Sequence, residues 1–217
     1  LSNTTSLHLH RLLRTAFNWA VDADLIGAGN NPIAKVKAPK KVDSELVIWE
    51  EETIHDFLGL CDQHIYGDVF SFAIRTGMRR SEICGLKWDA VDLESGRLEV
   101  KATLQRLKGH GLVTGTPKTE RSCRNIALAP ETVELLRDVR GAQILAKMEL
   151  GPLWQDTGFV FTHPNGTPLI PDQITQDFAS VIKRFDLPHL TFHGLRHAFA
   201  TLALKNISPK IVSHALG

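Results

Sequence analysis

No apolar run in this 217-residue chain approaches the roughly 18 residues that a membrane-crossing helix needs; the longest near the end, residues 198–204, is far too short. Cysteine is scarce too. Cys61, Cys84 and Cys123 are odd in number, scattered, and without Cys-x-x-Cys spacing. That speaks against a disulfide framework or a thiolate metal site and fits reduced thiols in a cytosolic protein. Net charge is nearly absent: 25 Lys and Arg against 24 Asp and Glu leave +1, so bulk charge predicts no polyanionic partner. There is no internal repeat, no low-complexity tract and no signal-peptide pattern, and a chain that begins at Leu1 is expected to be a piece of a longer protein. Tyrosine occurs once, as Tyr66. What is present is 43% hydrophobic and 23% charged sequence, enough to fill one good-sized domain, or one domain plus part of a second.

The balanced charge is segregated along the chain. Lys35, Lys37, Lys40 and Lys41 stand together without an acid. Residues 43–56 then hold six acids (Asp43, Glu45, Glu50, Glu51, Glu52, Asp56) and no Lys or Arg. From 101 to 124, six cations (Lys101, Arg106, Lys108, Lys118, Arg121, Arg124) face the single Glu120. Such runs are either solvated surface or a basic face laid against phosphates, and charge alone does not decide between them.

Apolar residues at 9, 12, 13, 16, 17, 20 and 21 recur with helical spacing, which predicts a helix over 5–25 capped by Thr4, Thr5 or Ser6. Residues 27–41, with Gly and Pro breakers among lysines, read as an extended linker and a domain boundary. Beyond it, Glu50–Glu52 suit a helix start. Helices are expected over 50–60, 68–75 (stopped at Gly77), 79–86, 130–150, 171–185 and 192–205, with a short one from Pro209. Strands are expected over 88–93, 98–104 and 124–128, with a Gly-rich loop (Gly109, Gly111, Gly115) before the third. The fold class is mainly α with a small three-stranded antiparallel sheet. The expected division is 1–26, a helix whose apolar stripe must dock on something here or in missing sequence; 27–44, linker; and 45–217, the main domain.

Three clusters carry candidate chemistry. Thr76-Gly77-Met78-Arg79-Arg80-Ser81-Glu82 puts a tight turn before a helix, where Arg79 and Glu82 share a face; such a pair either orients a guanidinium or is ordinary surface. Pro117-Lys118-Thr119-Glu120-Arg121-Ser122-Cys123-Arg124 offers a hairpin lysine that can reach into a site; alone it signals nothing. His193-Gly194-Leu195-Arg196-His197 sets His193 and Arg196 on one helical face above apolar neighbours. Those histidines are structural, phosphate-binding, or, with His189, His193 and His197 spaced by four, the ligands of a zinc hydrolase. Against zinc, Gly194 stands where the catalytic Glu of His-Glu-x-x-His belongs, and Arg196 would sit beside the cation.

Taken together, in order and spacing, the three clusters resemble the tyrosine recombinases, or phage integrases, over about residues 45–217. The resemblance implies their DNA breaking-rejoining catalytic fold and site-specific recombination through a 3′-phosphotyrosyl intermediate. It assigns Arg79 and Arg196 to the scissile phosphate, Glu82 to support of Arg79, Lys118 as general acid for the leaving 5′ oxygen, His193 to the proton of the tyrosine, and His197 to a supporting place. Lys35, Lys37, Lys40, Lys41, Arg106, Lys108, Arg121 and Arg124 become candidate DNA contacts. The partner implied is double-stranded DNA, with a tetrameric synapse for the full-length protein and a monomer for this piece. No metal and no cofactor is implied, and the setting is the cytoplasm, nucleoid-associated, of a bacterium or phage host. In the family, Leu-Gly is followed by a histidine and, a little later, the nucleophilic tyrosine. The chain stops at Leu216-Gly217, and Tyr66 precedes every motif, so this piece is expected to bind DNA weakly and not to cleave it. A non-catalytic DNA-binding regulator built on the same fold is the alternative.

Overall fold

The computed structural model describes residues 2–40, 47–116, 123–206, 208–209 and 216, in two compact units, Leu1–Leu46 and Val47–Gly217. In the first, helix α1 (Asn3–Asp22) is capped by Ser2, whose hydroxyl accepts the Thr5 N–H at 3.2 Å. The cap therefore precedes the three candidates named from sequence. Leu9, Leu12, Leu13 and Trp19 remain exposed along the helix. The stretch expected to be extended is partly folded back: Ala28–Asn30 forms a 3-10 turn, His10 donates to the Val36 carbonyl at 3.1 Å, and Asn31 donates to Asn18 at 3.1 Å.

In the second unit the alternation of helix and strand signals resolves into α2 (Glu51–Cys61), α3 (Gly67–Thr76), α4 (Arg80–Cys84), strands β1 to β5, then α5 (Pro130–Leu150), α6 (Pro171–Arg184) and α7 (Phe192–Asn206). α3 is the central helix, with only Asp68 and Arg75 of its ten residues outside the buried set. Around it aromatic rings interlock. Phe178 of α6 meets Phe57 of α2 at 5.8 Å between centroids, Phe70 of α3 at 5.4 Å and Phe192 of α7 at 5.6 Å, each edge to face. Trp49 packs against Phe57 with rings tilted by 58° at 5.0 Å between centroids, and donates its indole N–H to the Pro188 carbonyl at 2.9 Å. These contacts fix where α7 begins, and with it the side chains at 193 and 196.

Strands β1 (Val91–Asp92), β2 (Arg97–Val100) and β5 (Arg124–Ala127) form an antiparallel sheet in the order β1-β2-β5. Period-two alternation turns Leu98 and Val100, and opposite them Ile126 and Arg124, inward. The expected strand over 98–104 breaks after Val100. Its second half, β3 (Thr103–Leu107), leaves the sheet and pairs with β4 (Gly111–Gly115), so part of the supposed Gly-rich loop is a strand of a separate two-stranded ladder. Gly109 (φ 81°) and Gly111 (φ 71°) make the turn between them. Trp88–Ala90 is a 3-10 turn, which leaves β1 only two residues. The short helix expected from Pro209 lies mostly outside the described residues. Among the described residues no helix is long and apolar enough to cross a membrane.

Candidate active site

The site starts where α3 stops. Thr76 Oγ1 donates to the Phe72 carbonyl at 2.7 Å, closing the helix, and Gly77 takes the left-handed conformation (φ 62°). A Cβ on Gly77 would lie 2.4 Å from the ring of Phe199, so position 77 needs glycine for space as well as for φ. The chain then enters α4 with Arg79 as its cap residue. The carboxylate of Glu82 accepts the backbone N–H of Arg79 at 2.9 Å on one oxygen and its Nη1 at 2.8 Å on the other. The same two oxygens accept Nη1 and Nη2 of Arg124, from β5, at 3.1 and 2.9 Å. Glu82 is almost fully buried. Burial alone would raise its pKa, yet the hydrogen bonds from Arg124 and Arg79 bring it below the ordinary Glu value.

Arg80, next to Arg79 in sequence, goes elsewhere: Nη1 donates to Thr175 Oγ1 at 2.5 Å and Nη2 pairs with Asp172 at 3.2 Å, both on α6. Arg79, Arg80, Thr175, Thr191 and His193 line a cleft of about 350 Å³.

α7 supplies the opposite wall. Thr191 takes the Gly194 N–H on its hydroxyl at 3.1 Å and on its carbonyl at 2.8 Å, closing the first turn. Phe192, Leu195 and Ala198 face the core, which leaves His193 and His197 exposed and Arg196 half-buried. A Cβ at Gly194 would meet the side chain of Leu190 at 2.5 Å, so glycine lets Leu190 pack against the first turn of α7. Arg196 reaches across to the turn before α4, giving Nη1 to the Gly77 carbonyl at 2.8 Å and Nη2 to the Leu216 carbonyl at 2.5 Å. Burial, then the charges of Arg79 and Arg124, push its pKa down to about 10, with Glu82 opposing; it stays a cation at neutral pH. Burial, followed by His197, Arg196 and Arg79, lowers His193 below its ordinary 6.5, so its imidazole is neutral at pH 7. Arg79 and the neutral His193 line the cleft, and Arg196 lies near enough to act electrostatically on both; together they can bind a phosphodiester, stabilise added negative charge on it and pass a proton.

Of the residues expected at the site, Arg79, Glu82, His193 and Arg196 converge, with His197 beside His193 at 5.1 Å between rings. Lys118, Lys41 and Arg121 lie outside the described residues. Lys35, Lys37, Lys40, Arg106 and Lys108 are exposed. Arg124 is a correction: assigned to DNA contact from its basic neighbourhood, it is a buried strand residue holding Glu82. Its inward place was legible, since Arg124, Ile126 and Leu128 fall on one side of an alternating strand.

Zinc hydrolysis is not supported: among the described residues no group of three or more His, Cys, Asp or Glu is placed to hold a metal ion. Tyr66 lines a different cavity, of about 260 Å³, which none of these arginines lines. Its phenol oxygen is 2.7 Å from His163 Nδ1, and burial together with Asp177 raises its pKa, which opposes a nucleophilic phenolate.

The site thus sits on a mainly helical domain with an inserted sheet, which presents arginines from the turn before α4 and from within α7. Residues 50–217 match the Phage integrase family, and the chain belongs to it; this is the family of the tyrosine recombinases. Similar proteins include the XerC-like tyrosine recombinase of Caldanaerobacter subterraneus subsp. tengcongensis, 27% identical over all of this chain and 59% of the relative. The ICEBs1 integrase of Bacillus subtilis is 26% identical over 94% of this chain and 55% of its own length. The chain thus spans under two thirds of these relatives. Among solved structures, the Tn1549 transposon integrase in complex with circular intermediate DNA superposes with a TM-score of 0.81 at 26% identity, covering 100% of this chain and 72% of that one.

Proposed function

We propose that the protein to which this chain belongs breaks and rejoins double-stranded DNA at specific sites. The observation that carries the reading is the approach of Arg196 to the Gly77 carbonyl, which sets this guanidinium beside the turn whose Arg79 lines one cleft with His193. The chemistry follows from charge. A tyrosine oxygen attacks the phosphodiester phosphorus, loses its proton, and forms a 3′-phosphotyrosyl bond as the bond to the 5′ oxygen breaks. That oxygen leaves as a hydroxyl once a proton is delivered to it. Attack of a 5′ hydroxyl from another strand reverses the step, and the bond energy is kept throughout. Arg79 and Arg196 meet the charge that grows on the non-bridging oxygens, the duty metal ions perform in other phosphoryl-transfer sites. Neutral His193 accepts the tyrosine proton, and Lys118, by the family pattern, protonates the leaving oxygen.

The same pattern places the attacking tyrosine after Gly217. α1, with its exposed apolar stripe, serves as the last helix of the DNA-gripping domain that precedes the catalytic one, residues 27–44 link the two, and the lysines at 35, 37 and 40 contact the DNA backbone. Action on a mobile element's ends, in the cytoplasm, is the setting that fits. The Tn1549 relative, solved on circular intermediate DNA, supports duplex DNA as the partner. The test is a nicked suicide duplex carrying the element's junction, incubated with this chain and with the product of the full reading frame. The full product is expected to give a covalent adduct on a denaturing gel, and the 217-residue chain none. An adduct with the 217 residues alone refutes the placement of the nucleophile. Specific binding with no adduct from the full product favours the regulator instead.

A further inference from the structure

Arg124 sits at an inward position of β5, opposite Val100 and two residues from Ile126, with a side chain 1% exposed against a Glu82 side chain that is also 1% exposed. The neighbouring inward positions are apolar. A buried ion pair contributes little net stability over an apolar pair of similar volume, so stability alone does not call for an arginine here. What an arginine does at 124 that leucine cannot is hold a carboxylate by both oxygens.

That carboxylate is the one that orients Arg79. Among the described residues, each oxygen of Glu82 accepts one bond from Arg79 and one from Arg124, at 2.8 to 3.1 Å. The bidentate fork from β5 fixes the plane of the carboxylate, and the plane fixes where Arg79 Nη1 points. We propose that Arg124 is a positioning residue for the phosphate grip, acting through Glu82 on Arg79, and not a contact to DNA.

Charge balance gives the arrangement a second consequence. Arg79, Arg124 and Glu82 together carry one positive charge, and Arg196 adds another. A phosphodiester has one negative charge and its five-coordinate transition state has two. With Arg124 the cluster of these four residues matches the transition state; without it, the same cluster matches the ground state, which weakens the preference for the transition state while leaving DNA binding.

The inference rests on the strand-cleavage reading, and the experiment separates the two. The full-length protein is compared with its R124M, R124K, R79A and R79A/R124M variants on the nicked suicide duplex, measuring duplex affinity, single-turnover adduct formation and thermal melting. R124M is expected to bind duplex as the unmodified protein does and to form adduct about 100-fold more slowly, the scale of a misaligned reacting group. R124K, which keeps the charge on Glu82 but loses the fork, recovers part of the rate. Adding R124M to R79A costs little more than R79A alone, because the two act as one unit. Adduct formation by folded R124M at the unmodified rate overturns the proposal, as does a full additional loss in the double variant. If R124M does not fold, R124K decides: slower cleavage at equal duplex affinity supports the proposal, and the unmodified rate overturns it. Absence of adduct from the unmodified protein removes the cleavage reading itself, whereas failure of this inference leaves that protein active.

Discussion

Arg196 donates to the carbonyl of Gly77, 119 residues earlier, at 2.8 Å. The bond ties α7 to the turn that launches Arg79, so the segments that carry the two arginines are joined at Gly77. In the full-length protein, Arg79→Ala and Arg196→Ala are each expected to lower adduct formation by about 10²–10³-fold, the range for removing one preorganised donor to a developing charge. The two differ in stability. Arg79→Ala removes a partly exposed side chain, whereas Arg196→Ala leaves the buried Gly77 carbonyl without this donor and costs about 1–3 kcal/mol more. Thermal or urea unfolding beside a cleavage assay checks both.

Glu82→Ala removes the carboxylate that pairs with the buried Arg124 and with Arg79, and is expected to destabilise the domain by about 3–5 kcal/mol. The pH dependence has a definite sign. The folded-state pKa of Glu82 is lowered, so its stabilisation is present above the ordinary Glu value of 4.5 and is lost as pH falls through the lower folded value. Glu82→Gln should lack that part of the acid slope in urea titrations between neutral pH and the acid limit of folding.

His193 carries the opposite charge logic. Its folded pKa is below 6.5, so the unfolded chain takes up the proton first and acid costs stability from about that pH downward. Imidazole NMR is expected to show a midpoint under 6.5 in the free domain, moving upward when duplex DNA puts a phosphate in the cleft. In the full-length protein, cleavage rises with pH through the bound-state midpoint, and His193→Gln flattens that limb.

Tyr66→Phe removes the hydrogen bond to His163 and is expected to cost about 1 kcal/mol in unfolding free energy. Adduct formation by the full-length protein remains at the unmodified rate, since the phenol lies in a different cavity from Arg79 and His193. Loss of adduct in a folded Tyr66→Phe protein would make this tyrosine the nucleophile.

Particular elements show how far the one-dimensional reading reached. The stop of α3 at Gly77 and the pairing of Arg79 with Glu82 three residues on are local, and both follow from turn chemistry and helical spacing. The division of 98–104 between two sheets was not legible. Both halves have strand character, and what separates them is the choice of partner: β5 for Val100, β4 for Thr103. The capping of α1 by Ser2 was missed because Ser and Thr also follow it within the helix.

Arg124 shows the boundary most clearly. The alternation of β5 already aimed it inward, but an arginine among cations reads as surface, because burying a lone guanidinium costs several kcal/mol. Only the fold supplies the carboxylate that makes burial possible, from 42 residues earlier in the chain.

The sequence by itself determined which side chains are available, which helices carry them and which neighbours share a face, because those depend on dihedral preferences and spacing within a few residues. The tertiary structure alone decided that Arg80 is held by α6 while Arg79 stays with Glu82, that Arg124 serves Glu82, and that Arg196 closes on Gly77. Those choices are set by packing and charge between segments tens of residues apart, interactions that do not exist until the chain has folded.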